Sequence, residues 1–89
     1  MENFPFTQEI IEDKMIRTFS IDVESEELKW HRDRENRIVE VIQGGCWYLQ
    51  MDNELPIELV EGKKYYIPEG VYHRVMKGIK DLKVQITKI

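Results

Sequence analysis

The sequence predicts an all-β domain, a small closed or nearly closed barrel of about eight short strands. Three observations point there. Turn-forming residues recur every eight to twelve residues or so: Glu-Asn around Asn36, Gly44-Gly45, Asp52-Asn53, Glu61-Gly62, Pro68-Glu69-Gly70 and Lys77-Gly78. Between them, apolar and polar residues alternate with period two, the spacing of a strand that buries one side and wets the other. No segment joins a capping residue to an apolar stripe of helical spacing. Closing such strands into a barrel hides the edges that a lone small sheet would expose.

Taken in order, residues 15–21 set Met15, Arg17, Phe19 and Ile21 on one face. Residues 23–27 form an acidic connection, residues 28–32 the next strand, and residues 34–37 its polar turn. Residues 38–43 are β-branched and end at the glycine pair. Residues 46–51 put Trp47, Leu49 and Met51 opposite Tyr48 and Gln50. In residues 55–60, Pro56 marks an edge or a strand start, because proline cannot donate to a ladder. Strands over 63–67, 71–76 and 82–89 complete the set, the last with Leu82, Val84, Ile86 and Lys88 on one face. The barrel is expected over about 14–89 of a single domain, 1–89, with residues 1–13 packed outside it or at a dimer contact.

The 89 residues bound one domain with a marginal core, which a second copy would help to stabilise. With 42% hydrophobic and 34% charged residues, the chain is neither disordered nor fibrous. Its net charge of −4 is uneven: residues 1–30 carry eight acids and three bases, residues 62–89 seven bases and two acids. The C-terminal bases are spread singly along strands, and the acidic total opposes phosphate attraction, so no nucleic-acid partner is expected. No apolar run reaches the length of a membrane span. The N-terminus lacks a signal pattern, so the expected location is cytoplasmic. One cysteine, Cys46, excludes an intrachain disulfide and a zinc–thiolate cluster.

The chemistry gathers around the two histidines, His31 and His73. On a strand, residues i and i+2 point the same way, so His31 and Asp33 project together. Barrel closure would bring His73 alongside from a remote strand. Two imidazoles and one carboxylate form a facial set of three that leaves positions open for water, oxygen or substrate, and suits Fe(II) among divalent ions.

Around His73 the spacing is Gly62, five residues, Pro68, one residue, Gly70, two residues, His73. That string, G-x5-P-x-G-x2-H, resembles the second signature of the cupin superfamily, whose closing Asn is here Lys77. In the first cupin signature, G-x5-H-x-H-x3,4-E-x6-G, His31 matches the first His and Gly44 the closing Gly. Asp33 stands for the second His, Arg37 falls on the Glu and Ser25 on the leading Gly. The resemblance covers roughly residues 27–77 and is similar to that of the short single-domain cupins. It implies a double-stranded β-helix barrel of the RmlC-like jelly-roll kind, often dimeric, with a metal in its mouth. The ligands implied are His31 and His73, with Asp33 as a replacement.

Arginine has no lone pair for a metal, so Arg37 has three readings. It is a fork for an anionic group of the substrate beside a three-ligand metal, a partner of Asp33 in a metal-free pocket, or an outward turn residue. Of the tyrosines, Tyr65 is the candidate to place a hydroxyl at the substrate. The predicted function is a small cupin with a divalent metal (Fe, Mn, Ni or Zn) at His31, Asp33 and His73, and with Arg37 and Tyr65 at a small polar or anionic molecule. Whether it is an enzyme stays open. The alternative is a metal-free ligand-binding or structural module. Either way a homodimer is expected.

Overall fold

The computed structural model describes residues 4–89; the first three residues of the expected N-terminal segment lie outside the described residues. Eight strands run in order: β1 (Thr7–Ile11), β2 (Lys14–Phe19), β3 (Arg37–Gln43), β4 (Tyr48–Met51), β5 (Ile57–Glu58), β6 (Lys64–Ile67), β7 (His73–Met76) and β8 (Leu82–Lys88). They form two antiparallel sheets. One has five strands in the order β1-β2-β8-β3-β6, and the other three in the order β5-β4-β7.

The expected faces are the observed ones wherever alternation was strong. Trp47 and Leu49 are buried while Tyr48 is exposed, and Leu82, Val84 and Ile86 all point into the core. Beside the β8 residues in the same sheet, Met15 and Phe19 of β2 and Val39 and Val41 of β3 join this core, to which Trp47 and Leu49 contribute from the smaller sheet. Pro56 precedes β5, the edge strand of the smaller sheet, as its missing N–H requires.

Two expectations need correction. Residues 28–32 are not a strand: only His31 pairs, in an isolated bridge to His73. Period two fails there because Leu28 and His31, three residues apart, both line the interior cavity. The acidic connection before it contains a single 3₁₀ turn, Ser25–Glu27, in which Glu24 and Glu27 close a capping box. The eighth strand is instead β1, whose five residues are all exposed. It forms by pairing in register with β2, Thr7 against Thr18 and Ile11 against Lys14, not by burying a face.

One end of the barrel is shut by close backbone approach. The amide of Ile79 donates to the Gly45 carbonyl at 2.8 Å. A Cβ on Gly78 would overlap that carbonyl and stand 2.5 Å from the Cys46 carbonyl carbon, so only glycine fits. Trp47 plugs the same end, its indole N–H donating to the Lys80 carbonyl at 2.6 Å. The other end stays open between the sheets, and the histidines lie there.

Candidate metal centre

The backbone aims the three candidate ligands. His31 and His73 exchange both amide hydrogen bonds, at 2.9 and 2.8 Å, so residue 31 adds to the free edge of β7. Their rings lie 4.3 Å apart, centroid to centroid. The Pro68–Gly70 loop holds the segment that follows: the Gly70 amide donates to the Asp33 carbonyl at 3.0 Å, and the Glu69 amide to Asn36 Oδ1 at 2.8 Å. Gly70 takes φ +78° to do so, which suits glycine. The proline and glycine of the His73 motif thus aim Asp33 as well as His73.

One donor atom each from His31, Asp33 and His73 lie within 4.8 Å of one another. Donors about 2.1 Å from a shared ion sit about 3.0–3.4 Å apart in a facial or tetrahedral set, so a shift of about 1 Å by each side chain completes it. The protonation pattern favours a cation. His31 Nδ1 lies 2.9 Å from the Lys29 carbonyl and His73 Nδ1 2.8 Å from the Val71 carbonyl. A carbonyl only accepts, so each Nδ1 carries the proton and, in the neutral ring, each Nε2 presents a lone pair. Burial pushes the His73 pKa below its ordinary value. The Val71 carbonyl opposes that shift, the neighbouring His31 adds to it, and Asp33 opposes it. The net direction favours the neutral ring of His73 at neutral pH.

Its Nε2 then faces Asp33 Oδ2 at 3.4 Å. Both atoms are acceptors. Oδ2 is buried and has no hydrogen-bond partner in the structure. An unpartnered buried carboxylate oxygen costs on the order of 1–3 kcal/mol or more. A cation between the two lone pairs removes that cost, so the residues present fit a divalent ion.

Arg37, at the start of β3, turns inward. Its Nη1 lies 3.3 Å from Asp33 Oδ1, and its Nε donates to Glu35 Oε2 at 2.7 Å. That bond holds the Glu35 carboxyl below its usual range. The outward reading of Arg37 is thereby removed. Arg37 engages the carboxylate oxygen that His73 does not face, which leaves Oδ2 for an ion.

His31, Asp33, Arg37 and His73 share one cavity of about 340 Å³. Tyr65 stands apart from it. The tyrosine packs on the core, its hydroxyl donating to the Glu58 carbonyl and accepting from the Val60 amide, both at 2.8 Å. It ties β6 to the end of β5, across the two sheets. Tyr65→Phe is expected to cost about 1–2 kcal/mol for the two bonds and to leave metal content unchanged. Urea titration and elemental analysis check this, and a loss of metal at unchanged stability would contradict it.

Sequence reasoning missed Arg17. Its position on the inward face of β2, between Met15 and Phe19, was legible, but a charged residue there reads as an interruption of the apolar face. In the structure it lines the same cavity.

No protein-family model matches the sequence, and no curated protein sequence matches it. Solved structures do. An RmlC-like cupin family protein with a double-stranded β-helix fold, from Methanocaldococcus jannaschii, superposes with a TM-score of 0.74 at 15% identity, over 98% of this chain and 82% of that one. The fold is that of the cupin superfamily. A DMSP lyase from Ruegeria pomeroyi matches this chain with a TM-score of 0.71 at 14% identity, over 82% of this chain. HppE, solved as a cobalt(II) complex with substrate and as an iron(II) form, gives 0.65 at 19% identity in the former, over 85% of this chain. This chain spans only 35% of the length of that lyase and 43% of HppE. The cupin fold thus occurs in metal-containing proteins, and here its mouth carries a His–Asp–His cluster. No helix among the described residues is long and apolar enough to cross a membrane.

Proposed function

We propose that this cupin binds one divalent ion through His31, Asp33 and His73 and holds a small molecule beside it in the cavity. The observation that carries the reading is the unpartnered Asp33 Oδ2 facing the His73 Nε2 lone pair at 3.4 Å. The comparisons support it at the level of fold, since HppE was solved with cobalt(II) and with iron(II). The ion would supply Lewis-acid polarisation of a bound oxygen atom. The chain's own residues do the rest. His31 and His73 are fixed in the tautomer that offers Nε2, and the Pro68–Gly70 loop fixes Asp33. Arg37 holds the carboxylate in place through Oδ1, and the apolar walls of Val39, Leu49, Leu59 and Val75 exclude water.

A second reading is favoured by one contact. The Arg37–Asp33 pair can close a metal-free pocket that binds a ligand without an ion. Elemental analysis of tag-free protein separates the two. One equivalent of Fe, Mn, Ni or Zn per chain, as isolated or after refolding with the metal, supports the first. Content far below one under both conditions supports the second.

We also propose a cytoplasmic homodimer, in which the unpaired Cys46 suits a reducing compartment. β1 is an edge strand that exposes Ile10 and Ile11. Light scattering is expected to give twice the chain mass, and a monomer at high concentration would contradict the dimer.

A further inference from the structure

Arg17 is a charged side chain of the cavity wall that the metal reading does not use. It enters from β2 opposite Val84 of β8, while Arg37 enters from β3 opposite Lys88. Both guanidinium groups lie in the wall of the cavity that holds His31, Asp33 and His73. Arg37 is paired with Asp33 and Glu35. Among the described residues no carboxylate lies within ion-pair distance of Arg17. Its contacts are neutral: Nε donates to Gln8 Oε1 at 2.5 Å, and the guanidinium covers the Phe6 ring 4.1 Å from its centroid. These contacts orient the group and leave its charge uncompensated. Burial and then the charge of Arg37 bring its pKa down to about 10, against the opposing pull of Asp33 and Glu35, so it stays protonated at neutral pH.

The charges at the cavity mouth specify the missing partner. Asp33 and Glu35 are engaged by Arg37, and Lys88 also stands 3.8 Å from Glu35, so among the described residues no carboxylate is left to pair with Arg17. A divalent ion at the histidines would add further positive charge to a cavity in which Arg17 already lacks an ion-pair partner. Charge enclosed by low-dielectric walls is costly unless it is neutralised. The remaining walls are apolar, with Phe6, Phe19, Leu28, Leu59, Leu82 and Ile86 among them.

We propose that the cavity takes a small organic acid, its oxyanion head set between Arg17 and the metal and its apolar body against the aliphatic and aromatic walls. This rests on the metal reading above and adds the class of ligand. Arg17 is the residue that selects it: a guanidinium presents several N–H donors in a plane matched to two oxygens of one carboxylate or phosphonate. Arg37, committed to Asp33 and Glu35, adds field more than direct contact.

The test uses benzoate and its neutral near-isostere benzyl alcohol as probes, titrated by calorimetry into protein loaded with one equivalent of Mn or Zn. Benzoate is expected to bind at least about tenfold tighter than benzyl alcohol, the scale of a charge-assisted pair. Arg17→Met keeps the apolar stem and is expected to remove that preference with metal content unchanged; Arg17→Lys is expected to restore part of it. Equal affinities of the wild-type protein for the two probes would overturn the proposal, and that comparison needs no variant to fold. An unchanged preference in Arg17→Met would overturn the role of Arg17. If the wild-type protein takes up no metal, the metal reading fails and this proposal with it. Loaded protein that shows no preference for the acid fails this proposal alone.

Discussion

Replacing His73 by alanine is expected to lower metal affinity by at least about 100-fold. Loss of an outer-shell partner alone costs 10–100-fold, and here a ligand is removed. His73 is 4% exposed and sits on β7, a central element of the site, yet its ring points to the cavity and not into the apolar core. The variant is therefore expected to fold. The backbone bridge between residues 31 and 73 uses main-chain groups only and survives the substitution. His31→Ala should behave the same way with a smaller structural effect, since that residue is exposed. Competition against a chromogenic chelator measures both. Two folded variants that retain a full equivalent of metal would move the site elsewhere.

The largest expected effect on stability is at Trp47. Its side chain is fully buried at 0% exposure, with its ring 5.6 Å from Phe19, centroid to centroid. Trp47→Ala is expected to cost about 3–5 kcal/mol, the range for deleting a large buried aromatic. The Lys80 carbonyl also loses its 2.6 Å hydrogen bond from the indole. Against a total stability of about 5–15 kcal/mol for a domain of this kind, that is a large fraction. In thermal terms it is a fall in Tm on the order of 15–30 °C. Trp47→Phe should cost less, because the ring packing is largely kept and only the hydrogen bond and part of the volume are lost. A change under about 1 kcal/mol in Trp47→Ala would mean that this end of the barrel is not closed as described.

How far the sequence could be read follows from where its local signals agree with the tertiary structure. β8 and the Trp47–Leu49 stretch alternate cleanly, and each buries the face that alternation assigns. Gly62, Pro68, Gly70 and His73 are legible because backbone demands are local: Gly62 and Gly70 adopt φ of +85° and +78°. β1 is not legible. Thr7–Ile11 buries nothing, so no periodicity marks it, and only the register with β2 makes it a strand. Residues 28–32 mislead in the opposite sense. They look like a strand, but Leu28 reaches the core while Trp30 is 42% exposed beneath the Arg74 guanidinium.

The candidate site divides along the same line. His31 and Asp33 were paired by strand parity, and they do meet, although a single bridge to His73 and the Gly70–Asp33 hydrogen bond place them. Arg37 falls at the Glu position of the cupin signature and lies beside Asp33. Tyr65 shares the inward parity of Val39, its partner in the ladder, but parity does not say how far a phenol reaches. Its hydroxyl ends on the backbone near β5. Arg17 needed the converse information: which inward positions line a cavity and which fill a core is decided by the far side of the barrel.

The central claim, that two imidazoles and one carboxylate share an ion, is tested most directly by X-ray absorption at the metal edge of protein loaded with one equivalent of zinc or iron. The structure predicts two imidazole nitrogens and at least one carboxylate oxygen at about 2.0–2.2 Å, with no sulfur. A sphere without imidazole, or one that contains the Cys46 thiolate, would contradict it.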